Sequence, residues 1–298
     1  MGKLYGALFV LSLIWGTSFL FIKILLENLA PSAVVFGRCL FGAAALALII
    51  FFHKKEFLVK GAPWRKLLLV GFLNNALPWY FISVSETQIS SSLASVINAS
   101  TPIWTLIIGT VLFSARLKGR QWIGILIGFA GIIILSDIRP GDFVSGNLFG
   151  IGFMSAAAAC YGAGAHLTKK YLVDLPIIHI SFYTLLAATM ISFVAMLATA
   201  PDSLPQLVQS ENLLPLLGLG SFGSGIAYLF YFYLVKEGSA ELASIVTYIV
   251  PGTALIWGAV LLDESIHLSM IFGLLVIFSG VYISTGKKTG KKGKPAAA

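Results

Sequence analysis

The 298-residue chain is 58% hydrophobic and 11% charged, whereas soluble proteins carry roughly 25% charged residues. This composition excludes an ordinary water-soluble enzyme. A net charge of +8 could suggest a nucleic-acid partner, so the distribution of the basic residues along the chain must be considered first. Apolar runs recur along the chain, and each is long enough to span about 30 Å of hydrocarbon. In lipid such segments must be helices, because every backbone polar group needs a partner within the segment. The sequence therefore predicts an all-α polytopic membrane protein.

We predict ten transmembrane helices joined by short connections, with no separate soluble domain. Their expected bounds are 4–25, 32–52, 66–84, 90–113, 121–137, 147–168, 178–199, 213–235, 240–262 and 268–285. Because nine comparable segments follow the first, we interpret the first as a membrane helix and not a signal peptide. The basic tail, residues 286–298, is predicted to be disordered and cytoplasmic. Cys39 and Cys160 lie in apolar spans, so we expect neither a disulfide framework nor a metal site.

Lysine and arginine residues fall unevenly on the two sides that these spans define. Seventeen of the 20 lie on the side of both termini, and Arg139 alone lies on the other side, while Lys23 and Arg38 lie near span ends. The positive-inside rule therefore predicts that both termini are cytoplasmic. The positive charge is a topology signal with a secondary attraction to membrane lipid, and no nucleic-acid partner is expected.

The two halves of the chain share a weak internal repeat. The matched features are Trp15-Gly16 with Tyr161-Gly162, Lys23 with Lys169, residues 94–102 with 243–251, and Gly124 and Gly131 with Gly273 and Gly280. Because each half holds five spans, an odd number, the halves are predicted to face opposite ways. We predict a first repeat over residues 1–143 and an inverted second repeat over residues 144–285. Such repeats are typical of secondary transporters, although a duplicated scaffold is the alternative.

Two prolines occupy matched positions near the centres of the fourth and ninth spans. Pro102 and Pro251 each remove a helical N–H and clash with the carbonyl four residues earlier. A matched interruption at mid-membrane depth indicates a binding site or a hinge. We predict hinges at both prolines, with a packing kink as the alternative.

Aromatic and small polar side chains share helical faces at similar depth in several spans. The residues predicted to bind substrate are Trp15, Ser18, Asn75, Trp79, Ser95, Asn98, Tyr161, Ser224, Tyr228, Tyr231, Thr247 and Tyr248. If these faces converge, they line an uncharged cavity with aromatic walls. Such a lining suits a small amphipathic solute, because rings supply apolar contact and amides or hydroxyls bind polar groups. Interhelical packing is the alternative for each residue.

The charged residues exclude several mechanisms. All twelve acidic residues are expected in loops or at span ends, so no proton relay or cation site is predicted at mid-membrane depth. Arg38 is expected to snorkel to the interface, with carboxylate binding as the alternative. No phosphate-binding glycine loop is found, so ATP-driven transport has no support and no cofactor is expected. Scattered acids disfavour a lipid-modifying enzyme, and an uncoupled facilitator or channel stays an alternative.

The run Trp15-Gly16-Thr17-Ser18-Phe19, the paired prolines and the paired glycines together resemble the drug/metabolite transporter superfamily, most closely its ten-helix EamA-type branch. The resemblance covers residues 1–285. It implies a carrier, commonly an exporter, of amino acids or related metabolites in a bacterial inner membrane. It also implies that the first, third, fourth, sixth, eighth and ninth helices surround a central cavity, with the fifth and tenth packed at the periphery. We expect transport by alternating access.

Overall fold

A computed structural model describes residues 2–89, 91–114, 118–135, 148–262 and 268–285. The described residues form ten apolar helices and no strand. The helices are α1 (Gly2–Leu26), α2 (Pro31–Phe52), α3 (Trp64–Glu86), α4 (Ser91–Asn98 and Thr101–Phe113), α5 (Gly119–Leu135), α6 (Leu148–Tyr171), α7 (Ile177–Thr199), α8 (Ser210–Gly238), α9 (Ala240–Ser244 and Val246–Leu262) and α10 (Leu268–Thr285). The all-α prediction is confirmed, and the predicted bounds differ from these by three residues or fewer.

The composition of the helices fits a bilayer. Among the described residues, seven helices are long and apolar enough to cross a membrane, and the shorter α5 and α10 are also apolar. Large apolar side chains lie on the outer surface, including Phe52, Val194, Leu214 and Phe222. Contiguous exposed apolar surface of this kind is unfavourable in water and favourable against acyl chains. The protein is a multi-pass membrane protein.

Five helices depart from regular α geometry. Turns interrupt α1 at Thr17 and α4 at Ala99–Ser100, and Ile245 separates the two segments of α9. In α3, residues Phe72–Ala76 form a π-turn, in which hydrogen bonds run to the fifth residue. In α8, a longer π-segment covers Gly218–Ile226 and a second covers Leu234–Gly238. Such π-segments are rare and occur frequently at functional sites.

The two prolines differ in their surroundings. Pro102 lies at the start of the second segment of α4, directly after the turn, where its missing N–H has no helical partner to lose. Pro251 instead lies inside the continuous segment Val246–Leu262, so the expectation that it interrupts α9 is wrong. The interruption of α9 falls six residues earlier, at Ile245. Hinge movement at either proline stays a prediction.

Equivalent helices of the two halves pack against each other in antiparallel pairs. In the α2–α7 pair, Ser32 contacts Thr199 with an oxygen–oxygen distance of 2.8 Å, and the rings of Phe36 and Phe193 lie 5.1 Å apart. The α5–α10 pair is also antiparallel, since the start of α5 meets the end of α10. Two further kinds of contact occur twice, because α1 packs on α9 as α6 packs on α4, and α2 packs on α8 as α7 packs on α3.

This pairing is what a two-fold axis between inverted halves would give, and it supports the proposed inverted repeat. The predicted boundary at residues 143–144 and the basic tail at 286–298 both lie outside the described residues. The repeat bounds and the disorder of the tail therefore stay predictions.

Glycine allows α5 and α10 to approach closely. A Cβ added at Gly280 would clash with the backbone of Gly124 and Gly128, and one added at Gly131 would lie 2.7 Å from the amide nitrogen of Ile277. Small residues at a helix crossing permit backbone contact where the surrounding lipid supplies no hydrophobic driving force. The matched glycines of the repeat therefore pack these two helices together.

We expect Gly280→Ala to destabilise the protein by about 1–3 kcal/mol, because the added methyl group overpacks a backbone contact. Gly152→Ala on α6 is the matched control, since its Cβ would meet open space. The melting temperature of the detergent-solubilised protein, followed by intrinsic fluorescence, measures the effect. Equal melting temperatures for the two variants would contradict the close α5–α10 contact.

Candidate functional site

A central cavity lies among seven helices, at the level where α1, α4 and α9 are interrupted. Its volume of about 50 Å³ is room for a few water molecules. Its lining consists of Trp15, Ser18, Phe19, Ile22, Arg38, Trp79, Ile82, Asn98, Thr101, Tyr161, Ala165, Tyr231, Ala243, Ser244, Val246, Thr247 and Val250. The lining therefore comes from the six helices that the family resemblance implied, and α2 adds Arg38.

Four aromatic rings form one wall. Trp15 lies 5.8 Å from Tyr231 and 6.1 Å from Tyr228, measured between ring centroids. The ring of Tyr228 meets that of Trp79 edge-on at 5.3 Å. It lies 5.4 Å from the ring of Tyr231, in a tilted arrangement. Aromatic pairs at these spacings favour tilted and edge-on arrangements, as found here. The wall is therefore a packed cluster that joins α1, α3 and α8.

Hydrogen bonds to Asn74 and Gly223 hold this cluster in place. Tyr228 donates its hydroxyl to the backbone oxygen of Asn74 at 2.8 Å, and Tyr231 donates to the Asn74 side-chain oxygen at 3.1 Å. Trp15 donates its indole N–H to the backbone oxygen of Gly223 at 3.0 Å. Both acceptor residues lie in the π-segments of α3 and α8. The departures from α geometry thus provide the acceptors that orient the aromatic wall.

Arg38 corrects two expectations. Its side chain is 3% exposed, so it does not snorkel to the interface, and it lines the cavity, so the cavity is not uncharged. The guanidinium carbon lies 3.7 Å from the ring centroid of Trp79, and Nε donates to the hydroxyl of Ser224 at 3.1 Å. Stacking on an indole and one hydrogen bond stabilise the cation in place of water.

The interruptions of α4 and α9 bring small polar groups to the cavity. Asn98 and Thr101 line it from either side of the turn in α4, and Ser244 and Thr247 do so on either side of Ile245 in α9. The Thr101 hydroxyl donates to the backbone oxygen of Asn98 at 2.6 Å, and the Thr247 hydroxyl donates to that of Ser244 at 2.9 Å. Each threonine thus satisfies a carbonyl near the break in its helix.

The structure brings seven of the twelve predicted binding residues to the cavity. These are Trp15, Ser18, Trp79, Asn98, Tyr161, Tyr231 and Thr247. Two others are outside the lining but contact lining residues, because Tyr228 packs on Trp79 within the aromatic wall and Ser224 binds Arg38. Whether any of these residues contacts a substrate stays a prediction.

The other three predicted residues lie elsewhere. Tyr248 packs against α5, where its hydroxyl donates to the backbone oxygen of Ile125 at 2.7 Å and its ring fills the space above Gly128. Asn75 is fully buried away from the cavity, and Ser95 is half-buried and not part of its lining. For Tyr248 the interhelical-packing alternative is the correct one.

Sequence reasoning missed Arg38 as a lining residue, although a signal was present. Arg38 is seven residues into α2, roughly 10 Å along a helix with a rise of 1.5 Å per residue. At that depth a side chain reaches the interface only if its face is open to lipid. Glycine at Gly42, one turn later, meets Gly220 and Gly225 of α8 and closes that face.

Comparisons with known proteins agree on the class of this chain. The EamA-like transporter family matches residues 3–137 and, a second time, residues 148–286. The protein named "uncharacterized inner membrane transporter YedA" of Escherichia coli K12 is 30% identical over 289 residues, covering 95% of this chain and 91% of YedA. An "uncharacterized transporter" of Archaeoglobus fulgidus is 28% identical over 92% of this chain and 95% of its own length. A solved structure with 18% identity superimposes with a TM-score of 0.77 over 96% of this chain and 97% of that one, which shows the shared fold.

We expect Tyr228→Phe to lower stability by about 1–3 kcal/mol, because the carbonyl of Asn74 would lose its donor in a buried, water-poor site. Tyr282→Phe is the matched control, since Tyr282 is 75% exposed on α10. Thermal unfolding in detergent compares the two variants. If both melt at the same temperature, the hydroxyl of Tyr228 does not support the π-turn.

Proposed function

The chain belongs to the EamA-like transporter family and is a membrane transporter, not an enzyme; from this premise we propose that it exports small metabolites such as amino acids by alternating access. Substrate binds in the central cavity, between the two inverted halves. The observation that supports this proposal is the position of the cavity between two matched lysine contacts, which we infer to close it at opposite ends.

One closing contact joins α1 to α3. Lys23 donates to the backbone oxygen of Glu86 at 3.2 Å. Along α1, Lys23 directly follows the lining residue Ile22, and along α3, Glu86 is one turn beyond the lining residue Ile82. The contact therefore lies at the end of the cavity that we place on the outer side.

The second closing contact joins α6 to α8. Lys169 donates to the backbone oxygens of Lys236 and Gly238, the latter at 3.2 Å. Along α6, Lys169 is one turn beyond Ala165, and along α8, Lys236 follows Tyr231 by five residues. A lysine at the last carbonyls of a neighbouring helix also interacts favourably with the helix dipole.

The two contacts are equivalent under the internal repeat, in which α1 matches α6, α3 matches α8, and Lys23 matches Lys169. We term them the outer and inner lysine closures. If rocking of one half breaks one closure while the other stays formed, the cavity opens to one side at a time. Closure at both ends disfavours the alternative of a continuous pore.

We further propose that the protein lies in a bacterial inner membrane with both termini cytoplasmic. The one-sided distribution of lysine and arginine supports this orientation. Rocking about the turn before Pro102 and about the region of Ile245 and Pro251 would change the cavity directly, since lining residues flank both breaks. The substrate and the surrounding lipid are the expected partners.

Transport is tested with the purified full-length protein in liposomes. We expect saturable flux and counterflow for at least one member of an amino-acid and metabolite panel. Trp79→Ala should lower that flux at least tenfold, because Trp79 is 1% exposed and forms the cavity wall, whereas Trp64→Ala at a half-exposed surface position should not. Flux without saturation or counterflow would indicate a channel, and equal activity of both variants would remove the site assignment.

The lysine closures are tested by cysteine labelling. In a Cys39→Ser/Cys160→Ser background, Ala165→Cys places one thiol in the cavity for a membrane-impermeant maleimide. Lys23→Met should speed labelling from outside intact cells, and Lys169→Met should speed labelling from the outside of inverted vesicles, which expose the cytoplasmic face. We expect about a fivefold change, the population shift that one net hydrogen bond of about 1 kcal/mol gives.

Lys170→Met is the matched control for the labelling experiment, since Lys170 is exposed and adjacent to Lys169. It should leave both labelling rates unchanged. Loss of the sidedness, with each lysine variant raising labelling equally from both sides, would contradict the assignment of one closure to each end.

A further inference from the structure

We propose that Arg38 binds the carboxylate of the transported solute, so that the substrate class is a small organic acid with an apolar body. The inference rests on the proposed function, because it concerns the same cavity. It goes further by naming the charge of the substrate and the residue that selects it.

Most of the hydrogen-bonding capacity of Arg38 is unused by the protein. A guanidinium carries five N–H donors, and within the described residues only Nε donates, to Ser224 at 3.1 Å. The four N–H groups on the two terminal nitrogens have no acceptor there. Since Arg38 is a lining residue, these donors are available to a bound solute.

No carboxylate lies beside Arg38 inside the cavity, since none of the described lining residues is acidic. The buried Glu86 on α3 acts on Arg38 electrostatically, but it is not among the lining residues. An arginine is costly in the hydrocarbon region unless it is paired. A carboxylate on the solute would add a partner for the guanidinium inside the cavity.

The geometry favours a carboxylate as that anion. Stacking on Trp79 at 3.7 Å and the bond from Nε to Ser224 hold the guanidinium from one face and one edge. The fork of the remaining donors matches the two oxygens of a carboxylate. One guanidinium balances the charge of one carboxylate.

Two further lining atoms indicate what else the solute carries. The hydroxyl oxygen of Ser18 and the side-chain carbonyl oxygen of Asn98 are buried and have no hydrogen-bond partner within the described residues. The Asn98 oxygen is an acceptor, so it complements an amino or hydroxyl group of the solute. Trp15, Trp79 and Tyr231 contact the apolar part. Amino acids and 2-hydroxy acids with apolar side chains fit this pattern, whereas amines without a carboxylate do not.

A panel of matched compounds tests the proposal with the wild-type protein. The first set is L-valine, 2-hydroxyisovalerate, L-valinamide and isobutylamine, and the second is L-phenylalanine, 3-phenyllactate, L-phenylalaninamide and phenethylamine. Binding is measured in detergent by tryptophan fluorescence and by thermal stabilisation, and flux in liposomes. We expect the acids of at least one set to bind at least tenfold more tightly than the amide and amine of that set, because charge-assisted hydrogen bonds to Arg38 are lost.

Variants assign the preference to Arg38. Arg38→Gln should abolish the tenfold preference, so that acids bind about as tightly as the amide and the amine. Arg38→Lys should weaken acid binding about tenfold, since a lysine keeps the charge but loses the forked pair of donors. If Arg38→Gln fails to fold, the dependence of acid binding on Arg38 is tested with two other variants. These are Arg38→Lys and Ser224→Ala, the second of which removes the acceptor of the Nε hydrogen bond. Arg65→Gln on the exposed start of α3 is the matched control and should bind like the wild type.

The outcomes separate this inference from the proposed function. Amides or amines that bind as well as the acids, no acid binding in either set, or an acid preference that survives at Arg38→Lys or Arg38→Gln would each overturn the carboxylate site. Saturable flux of an amine would then leave transport intact. Acid binding that depends on Arg38, without flux, would keep the site and remove the proposed transport.

Discussion

The structure depends on one constraint, which is that polar groups buried inside hydrocarbon must find hydrogen-bond partners within the protein. Tyr228 and Trp15 meet this constraint by donating to the carbonyls of Asn74 and Gly223, which lie in the π-segments of α3 and α8. The same bonds therefore satisfy these buried donors and orient the aromatic wall. Glycines in the α8 segment permit this, since Gly220 and Gly225 pack directly on the backbone of α2.

The internal repeat explains why the site lies at mid-depth. Equivalent helices pair antiparallel across the centre, so that α2 with α7 and α5 with α10 form the two symmetric contacts. The remaining helices enclose the cavity, and a lysine contact follows the lining residues along α1 and along α6. In the mechanism that we propose, these two contacts act as gates, and exchange between them is the movement that alternating access requires. Arg38 breaks the symmetry and gives the cavity its charge.

Much of this architecture follows from the sequence, because apolar length and the distribution of basic residues are strong signals in membrane proteins. Helical phase made the polar faces of α1, α3, α4, α6, α8 and α9 predictable as well. Helical phase alone could not separate the cavity from packing faces, so Tyr248 was assigned to the wrong side of α9. The depth of Arg38 in α2 can be read from the sequence, but its burial also depends on the packing of Gly42 against Gly220 and Gly225 of α8, which the sequence does not show. The π-segments have no reliable sequence signal, although the glycine-rich run of α8 is compatible with one.

The central claim is that the two ends of the cavity open alternately. It is tested most directly by distance measurements between spin labels placed across each closure, with one pair at Glu27 and Thr87 and the other at Lys170 and Glu237, all exposed positions. Double electron–electron resonance in nanodiscs, with and without a transported solute, reports both distances. We predict two states in which one distance lengthens as the other shortens. Both distances lengthening together, or neither changing when a transported solute is added, would contradict the account.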